Sequence, residues 1–223
     1  DAFVCGADDF MVKPFSTSEL RVRVASIHMR QQLAQDVNPL TKLPGNTALK
    51  YEINKILNIE KKTAIAYFDL DHFKEFNDTQ GFDQGDLVIS LLGNLMRDYA
   101  SSRPAAEVFL GHVGGDDFVM LLPEEHCEDM AKLLTTRFAE AVSKLYTEEE
   151  IKRGTVVAMN RKGEEEEIEL LSVSIAIALT SRPGMVDVAR VAHVAAELKK
   201  KAKNIPGNSY FVDRRKEPVS VRT

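Results

Sequence analysis

Cysteine is scarce. There are two in 223 residues, Cys5 and Cys127, far apart and without the spacing of a metal site or a disulfide framework. They read as buried or free thiols of a reducing compartment, so the expected location is the cytoplasm. His126 stands beside Cys127, but no second His/Cys cluster joins it, which argues against a zinc site. Long apolar runs are missing too. The most hydrophobic strand-like stretch, SVSIAIAL at 172–179, is far too short to span a bilayer, and the N-terminus has no signal-peptide pattern, so no membrane partner is expected. Nor is there an excess of positive charge. Lys and Arg number 29 against 34 Asp and Glu, for a net charge of −5 and a pI near 5.6. That balance argues against a general nucleic-acid binder, while a local basic patch could still hold a phosphate. Internal repeats and low-complexity tracts are absent. The chain starts at Asp1 rather than at methionine and so reads as a fragment.

What is present is a globular composition, 44% hydrophobic and 28% charged, long enough for one full domain and part of a second. The opening DAFVCGADDFMVKPF reads as a short apolar piece, a GADD turn, a brief strand at 10–12 and a Lys-Pro step. STSEL then offers a capping box, Ser16 with Glu19, for a helix carrying Leu20, Val24 and Ile27 to about residue 36. A strand and helix of this size cannot bury a core alone, so they belong to something larger or dock elsewhere. From Asn38 the sequence changes character. NPLTKLPGN is turn-rich; a helix follows at 46–58, then the buried strand TAIAYFDLD, a loop, and a helix from Asp86 to Tyr99 with Val88, Leu91, Leu92, Leu95 and Tyr99 on one face. A hairpin around GGDD, a helix at 125–146 and a second hairpin turning at 160–163 come next, the four glutamates at 164–167 forming a solvated arm. Strand 172–179, a helix at 186–203 and the strand NSYFVD complete the pattern. Helices and strands mix without βαβ alternation, which predicts an α+β fold with a central mixed or antiparallel sheet flanked by helices.

The apolar run Ala64–Phe68 ends in Asp69-Leu70-Asp71, and GGDD places Asp116 and Asp117 at the tip of a hairpin. If the two strands are neighbours, Asp69, Asp116 and Asp117 converge, and clustered carboxylates repel unless a cation sits among them. Oxygen-only ligands suit a hard ion, Mg²⁺ or Mn²⁺, which keeps sites for water and substrate phosphates. The bland alternative is a hairpin turn, since Gly and Asp dominate such turns. After Asp69 comes LDHFKEFNDTQGFDQGD, a segment holding Lys74, Asn77 and Asp86. Backbone amides after a strand, plus a lysine, make a phosphate cradle. An Asn with an Asp can read a guanine edge, although Asp86 also suits a helix cap and Lys74 a solvated charge. In LKKKAK (198–203) most lysines answer the helix dipole, and Lys203 is the one expected to reach a phosphate.

Together these residues resemble the GGDEF family of diguanylate cyclases over 38–213, through NPLTKLPGN, FDLDHFKEFNDTQGFDQGD, GHVGGDDF and AKNIPGN in order. GADDFMVKPF and the helix after it resemble the end of a response-regulator receiver domain. The implied organisation is a receiver remnant and linker helix (1–37), a cyclase domain (38–213) and a tail (214–223), with Lys13-Pro14 cis. The resemblance implies a reaction joining two GTP into cyclic di-GMP and two pyrophosphates in a homodimer, under an upstream sensor kinase. It implies metal ligation by Asp69, the Leu70 carbonyl, Asp116 and Asp117, with Asp116 and Asp117 catalytic. His72, Phe73, Lys74 and Lys203 would hold phosphates, and Asn77 and Asp86 guanine. A weak or inactive regulatory module on the same fold is the alternative. Three departures bear on it: Asp117 stands where the family has Glu, Gly207 where many members have Arg, and NPLTK replaces DPLTG. The family's RxxD feedback motif is replaced by AAEV at 105–108, which predicts no product inhibition of that type.

Overall fold

The computed structural model describes residues 6–104, 107–159 and 165–215. Cys5, residues 105–106 of AAEV, the 160–163 turn, Glu164 and residues 216–223 lie outside the described residues. The centre of the fold is β1 (Thr63–Asp71), whose apolar run has no polar face to show water and is buried almost throughout. It pairs antiparallel with β3 (Asp117–Pro123) on one side and with β6 (Ser172–Leu179) on the other. β2 (Phe109–Gly114) extends the sheet beyond β3, and β7 (Ser209–Val212) lies parallel to β6. The strand order is β2-β3-β1-β6-β7, a mixed α+β sheet as the sequence predicts.

Period-two alternation assigns the two faces. Ala64, Ala66, Phe68 and Leu70 point into a core closed by α4 (Phe82–Ser101) and α5 (Cys127–Val142). Ile65 and Tyr67 point the other way, into a core closed by α2 (Asn46–Asn58) and α7 (Val188–Lys203). α3 (Phe73–Gln80) sits between β1 and α4, and α6 (Glu148–Arg153), closed by a Thr147–Glu150 capping box, precedes a two-stranded ribbon of β4 (Thr155–Met159) and β5 (Glu165–Glu169). Glu165, Glu166 and Glu167 are exposed, consistent with a solvated arm.

Two expectations are corrected. Residues 10–12 form no strand: the five-stranded sheet ends at β2 and β7, and neither edge pairs with them. The segment after Asp71 is not a loop. It is α3 followed directly by α4, with Gly81 (φ 88°) as the hinge, so the second helix begins four residues before Asp86. The N-terminal helix α1 (Thr17–Gln35) does form, with the Ser16 hydroxyl accepting from the Glu19 amide at 3.1 Å. It buries none of its residues, and Leu20 and Val24 remain exposed. The Lys13–Pro14 bond is cis. Among the described residues no helix is long and apolar enough to cross a membrane.

Candidate active site

The site lies where the central strands stop pairing. The β1–β3 ladder ends at Phe68 opposite Phe118, whereas the β1–β6 ladder runs on to Asp71 opposite Ser172. Residues 69–71 therefore have no strand partner on the β3 side and face the Gly114–Gly115 turn. That turn needs glycine: Gly115 sits at φ 56° and Gly114 at φ 151°. Alternation then sorts the polar groups. Asp69 and Asp71 continue the face of Ile65 and Tyr67, Asp117 that of Val119 and Leu121, and Ser172 and Ser174 that of Ala176 and Ala178. This is the face on which α7 packs, so the last turns of that helix deliver lysines directly over the carboxylates.

Lys199 Nζ donates to Asp69 Oδ1 at 3.0 Å and to the Asp117 carboxylate. Lys203 Nζ contacts the other oxygen of Asp69 and lies 3.9 Å from Asp71. Asp71 accepts from the hydroxyls of Ser172 at 3.1 Å and Ser174 at 2.7 Å. Burial pushes the Asp69 carboxyl up, but Lys203 and Lys199 outweigh it and hold the group below the usual carboxylate range. Burial prevails at Asp71, whose carboxyl is raised despite its two serine hydrogen bonds. Asp116, half-buried at the turn, is raised first by burial and then by the charges of Asp69 and Asp117.

The structure thus brings Asp69, Asp117 and Lys203 together, with Asp116 near enough to feel their charge. Among the described residues, no group of three or more His, Cys, Asp or Glu side chains forms a ready cage for a metal ion. The donor chemistry nevertheless fits a hard divalent cation. Asp69 Oδ2 is buried, accepts no well-formed hydrogen bond and faces the positive charge of Lys203, and the acidic groups of the site offer only oxygen ligands. Leu70 turns its side chain into the core, leaving its backbone as the group that could take part.

The other predicted residues lie along α3 and α4. His72 adopts a left-handed conformation (φ 61°) before α3, with its Nε2 3.3 Å from Glu169. Phe73 and Lys74 open the helix, whose first amides have no intrahelical acceptor and so form an anion-binding end; Lys74 is exposed and Phe73 packs on the core. The Oδ1 of Asn77 is buried without a hydrogen-bond partner. It rests against Gly85, where a β-carbon would come within 1.9 Å of it. Asp86, the next residue, is exposed inside α4 and is not its cap.

Two residues of this site escaped the sequence reading. Lys199 looked like one more solvated lysine; the available signal was its position four residues from both Ala195 and Lys203, on the buried side of α7. His112 stacks on Phe118 at 4.1 Å, and its Nε2–H donates to the Gly115 carbonyl at 2.9 Å while its Nδ1 accepts from Thr41 at 2.9 Å. It ties the Gly114–Gly115 turn to the NPLTK segment. There Asn38 Oδ1 accepts from the amides of Leu40 and Thr41, and Lys42 takes a left-handed φ of 57° where the family pattern has glycine.

A strand end that gathers carboxylates and lysines beside a helix N-terminus is a surface suited to a phosphorylated ligand and a divalent ion. The family model described as "Diguanylate cyclase, GGDEF domain" matches residues 35–209, and the chain belongs to the GGDEF family. A diguanylate cyclase of Vibrio cholerae is 30% identical over 123 residues, covering 51% of this chain and 37% of that protein. The probable diguanylate cyclase DgcE of Escherichia coli is 32% identical over 108 residues, 47% of this chain and 9% of its own length. The chain therefore spans about a third or less of these curated relatives. Among solved structures, the coiled coil and GGDEF domain of DgcB from Caulobacter crescentus, in complex with c-di-GMP, has a TM-score of 0.57 at 24% identity, covering 87% of this chain and 95% of that one. Diguanylate cyclase SiaD from Pseudomonas aeruginosa, solved with its activator SiaC, has a TM-score of 0.59 at 19% identity, covering 88% and 68%. These likenesses establish the fold.

Proposed function

We propose that the domain at 38–213 is a diguanylate cyclase that condenses two GTP into cyclic di-GMP and two pyrophosphates. The observation that carries this reading is the meeting of Asp69 and Asp117 on one ammonium at the open end of the sheet, beside Asp116. Asp69, Asp116, Asp117 and the Leu70 carbonyl would hold Mg²⁺ or Mn²⁺, and when bound the ion supplies charge neutralisation for the triphosphate. Asp116, whose carboxyl is raised, accepts the proton of the attacking 3′-hydroxyl. The first amides of α3, with His72, Phe73 and Lys74, hold the phosphates together with Lys203. The partnerless Asn77 oxygen and the exposed Asp86 carboxylate read the guanine edge. Each chain binds one GTP, so two chains face one another for in-line attack. Residues 1–37 are the end of a receiver domain addressed by a sensor kinase, in keeping with a helix that buries none of its side chains, and residues from 214 onward are a tail.

A second reading, a weak or inactive module that binds GTP or a partner, is favoured by the lysines already neutralising Asp69 and Asp117 and by the shorter Asp117. Incubation with GTP and Mg²⁺ or Mn²⁺ separates the two. Cyclic di-GMP from the native protein and at least about a hundredfold less from Asp116→Ala supports the cyclase. GTP binding without product at high protein concentration supports the module. In the same assay Asp86→Ala should erode the preference for GTP over ATP; an undiminished preference would remove Asp86 from the guanine site.

A further inference from the structure

Four lysines crowd the end of α7, and they are not alike. Lys200 and Lys201 are exposed, the latter lying over the ring of Phe211 at 5.2 Å. Lys203 serves Asp69 from its Oδ2 side and approaches Asp71. Lys199 alone of these four reaches across the gap between strands, with one ammonium on Asp69 of β1 and Asp117 of β3. Its side chain is 24% exposed, and the Asp69 side chain 12%. An ammonium in such a position does what a divalent ion would do there, offsetting the mutual repulsion of two carboxylates in a partly dry site.

We infer that Lys199 is a tethered cation that occupies the ground between Asp69 and Asp117 and has to leave it before a divalent ion can bind there. The inference rests on the proposed metal-dependent reading of the site and adds a competitor that is part of the chain. A hard ion requires carboxylate oxygens at about 2.0–2.6 Å and tolerates no ammonium in the same space. Because Lys199 is anchored to α7, it competes at a high, fixed local concentration. The metal threshold of this protein is therefore set by displacement of Lys199 as well as by the carboxylates. The neutral alternative, a leucine or methionine stem at 199, would leave the same carboxylates unopposed.

The test is calorimetric titration of Mn²⁺ into nucleotide-free protein, which requires no turnover. Lys199→Met and Lys199→Gln should each bind Mn²⁺ at least about tenfold more tightly than the native chain, the scale expected for removing a like charge at contact distance. Lys200→Met, which removes the same charge from an exposed neighbour, should change the affinity less than about twofold. Far-UV circular dichroism confirms folding, and either Lys199 variant suffices if the other does not fold. Equal or weaker binding in the Lys199 variants, with clear binding by the native chain, overturns the inference and leaves the metal reading standing. Tightening of the same size in Lys200→Met also overturns it, since a general field would then suffice. No Mn²⁺ binding by any of these proteins overturns both the inference and the metal reading.

Discussion

His112 illustrates how one buried polar residue can set a site it does not enter. With Nε2–H given to Gly115 and Nδ1 taking the Thr41 hydroxyl, both ring nitrogens are satisfied in the neutral form. Burial lowers its pKa below 6.5, although Gly115 and the nearby aspartates oppose the shift. The sign follows from linkage: the unfolded chain binds a proton more readily, so this contribution to stability is present above pH 6.5 and is lost as pH falls through the folded value. His112→Phe keeps the ring stacked on Phe118 but removes both hydrogen bonds. It should cost about 1–2 kcal/mol, flatten the loss of melting temperature below that pH, and lower turnover more than GTP affinity. Unaltered turnover in a folded variant would show that the glycine turn holds without the imidazole. Lys199 teaches a similar lesson, for its partners lie 130 and 82 positions away and no local pattern announces them.

Most elements were legible because their periodicity is clean. α2, β1 and β6 run over the same residues that the pattern predicts, and α7 starts two residues later than expected, at Val188 after its Asp187 cap. The failures have physical causes. Residues 10–12 are apolar enough for a strand, but a strand needs a partner edge. Residues 73–85 read as a loop because Asn, Asp and Gly break the apolar rhythm, whereas packing of Phe73 and Phe76 on the core makes them helical. The α3–α4 hairpin yields its own prediction. Gly85→Ala adds a methyl where the Asn77 oxygen now lies, and a flexible side chain can move aside more easily than backbone. Helix propensity favours alanine by up to about 1 kcal/mol, so melting temperature should hold or rise. GTP affinity should fall several-fold as the Asn77 amide is displaced. Affinity equal to that of the native chain would argue that Asn77 does not read the base.

At the scale of the whole molecule, one sheet end carries carboxylates, lysines and a helix N-terminus, and the proposed reaction needs two such ends opposed. Specific activity should therefore climb with protein concentration and level off where light scattering reports dimer. Specific activity independent of concentration in a monomeric sample would contradict the two-chain arrangement. The exposed Leu20 and Val24 on α1 leave that helix without apolar cover from the described domain. By itself the sequence determined the α+β class, the elements with clean periodicity (α2, β1, β6 and α7), and the acidic motifs at the ends of β1 and β3, because hydrophobic periodicity and turn chemistry are local. The tertiary structure alone decided that β1 and β3 are neighbours, that α7 lies over the face bearing Asp69, and that Lys199 bridges two strands. Those facts depend on pairings between residues far apart in the chain, where the energy lies in burial and charge opposition rather than in any local preference.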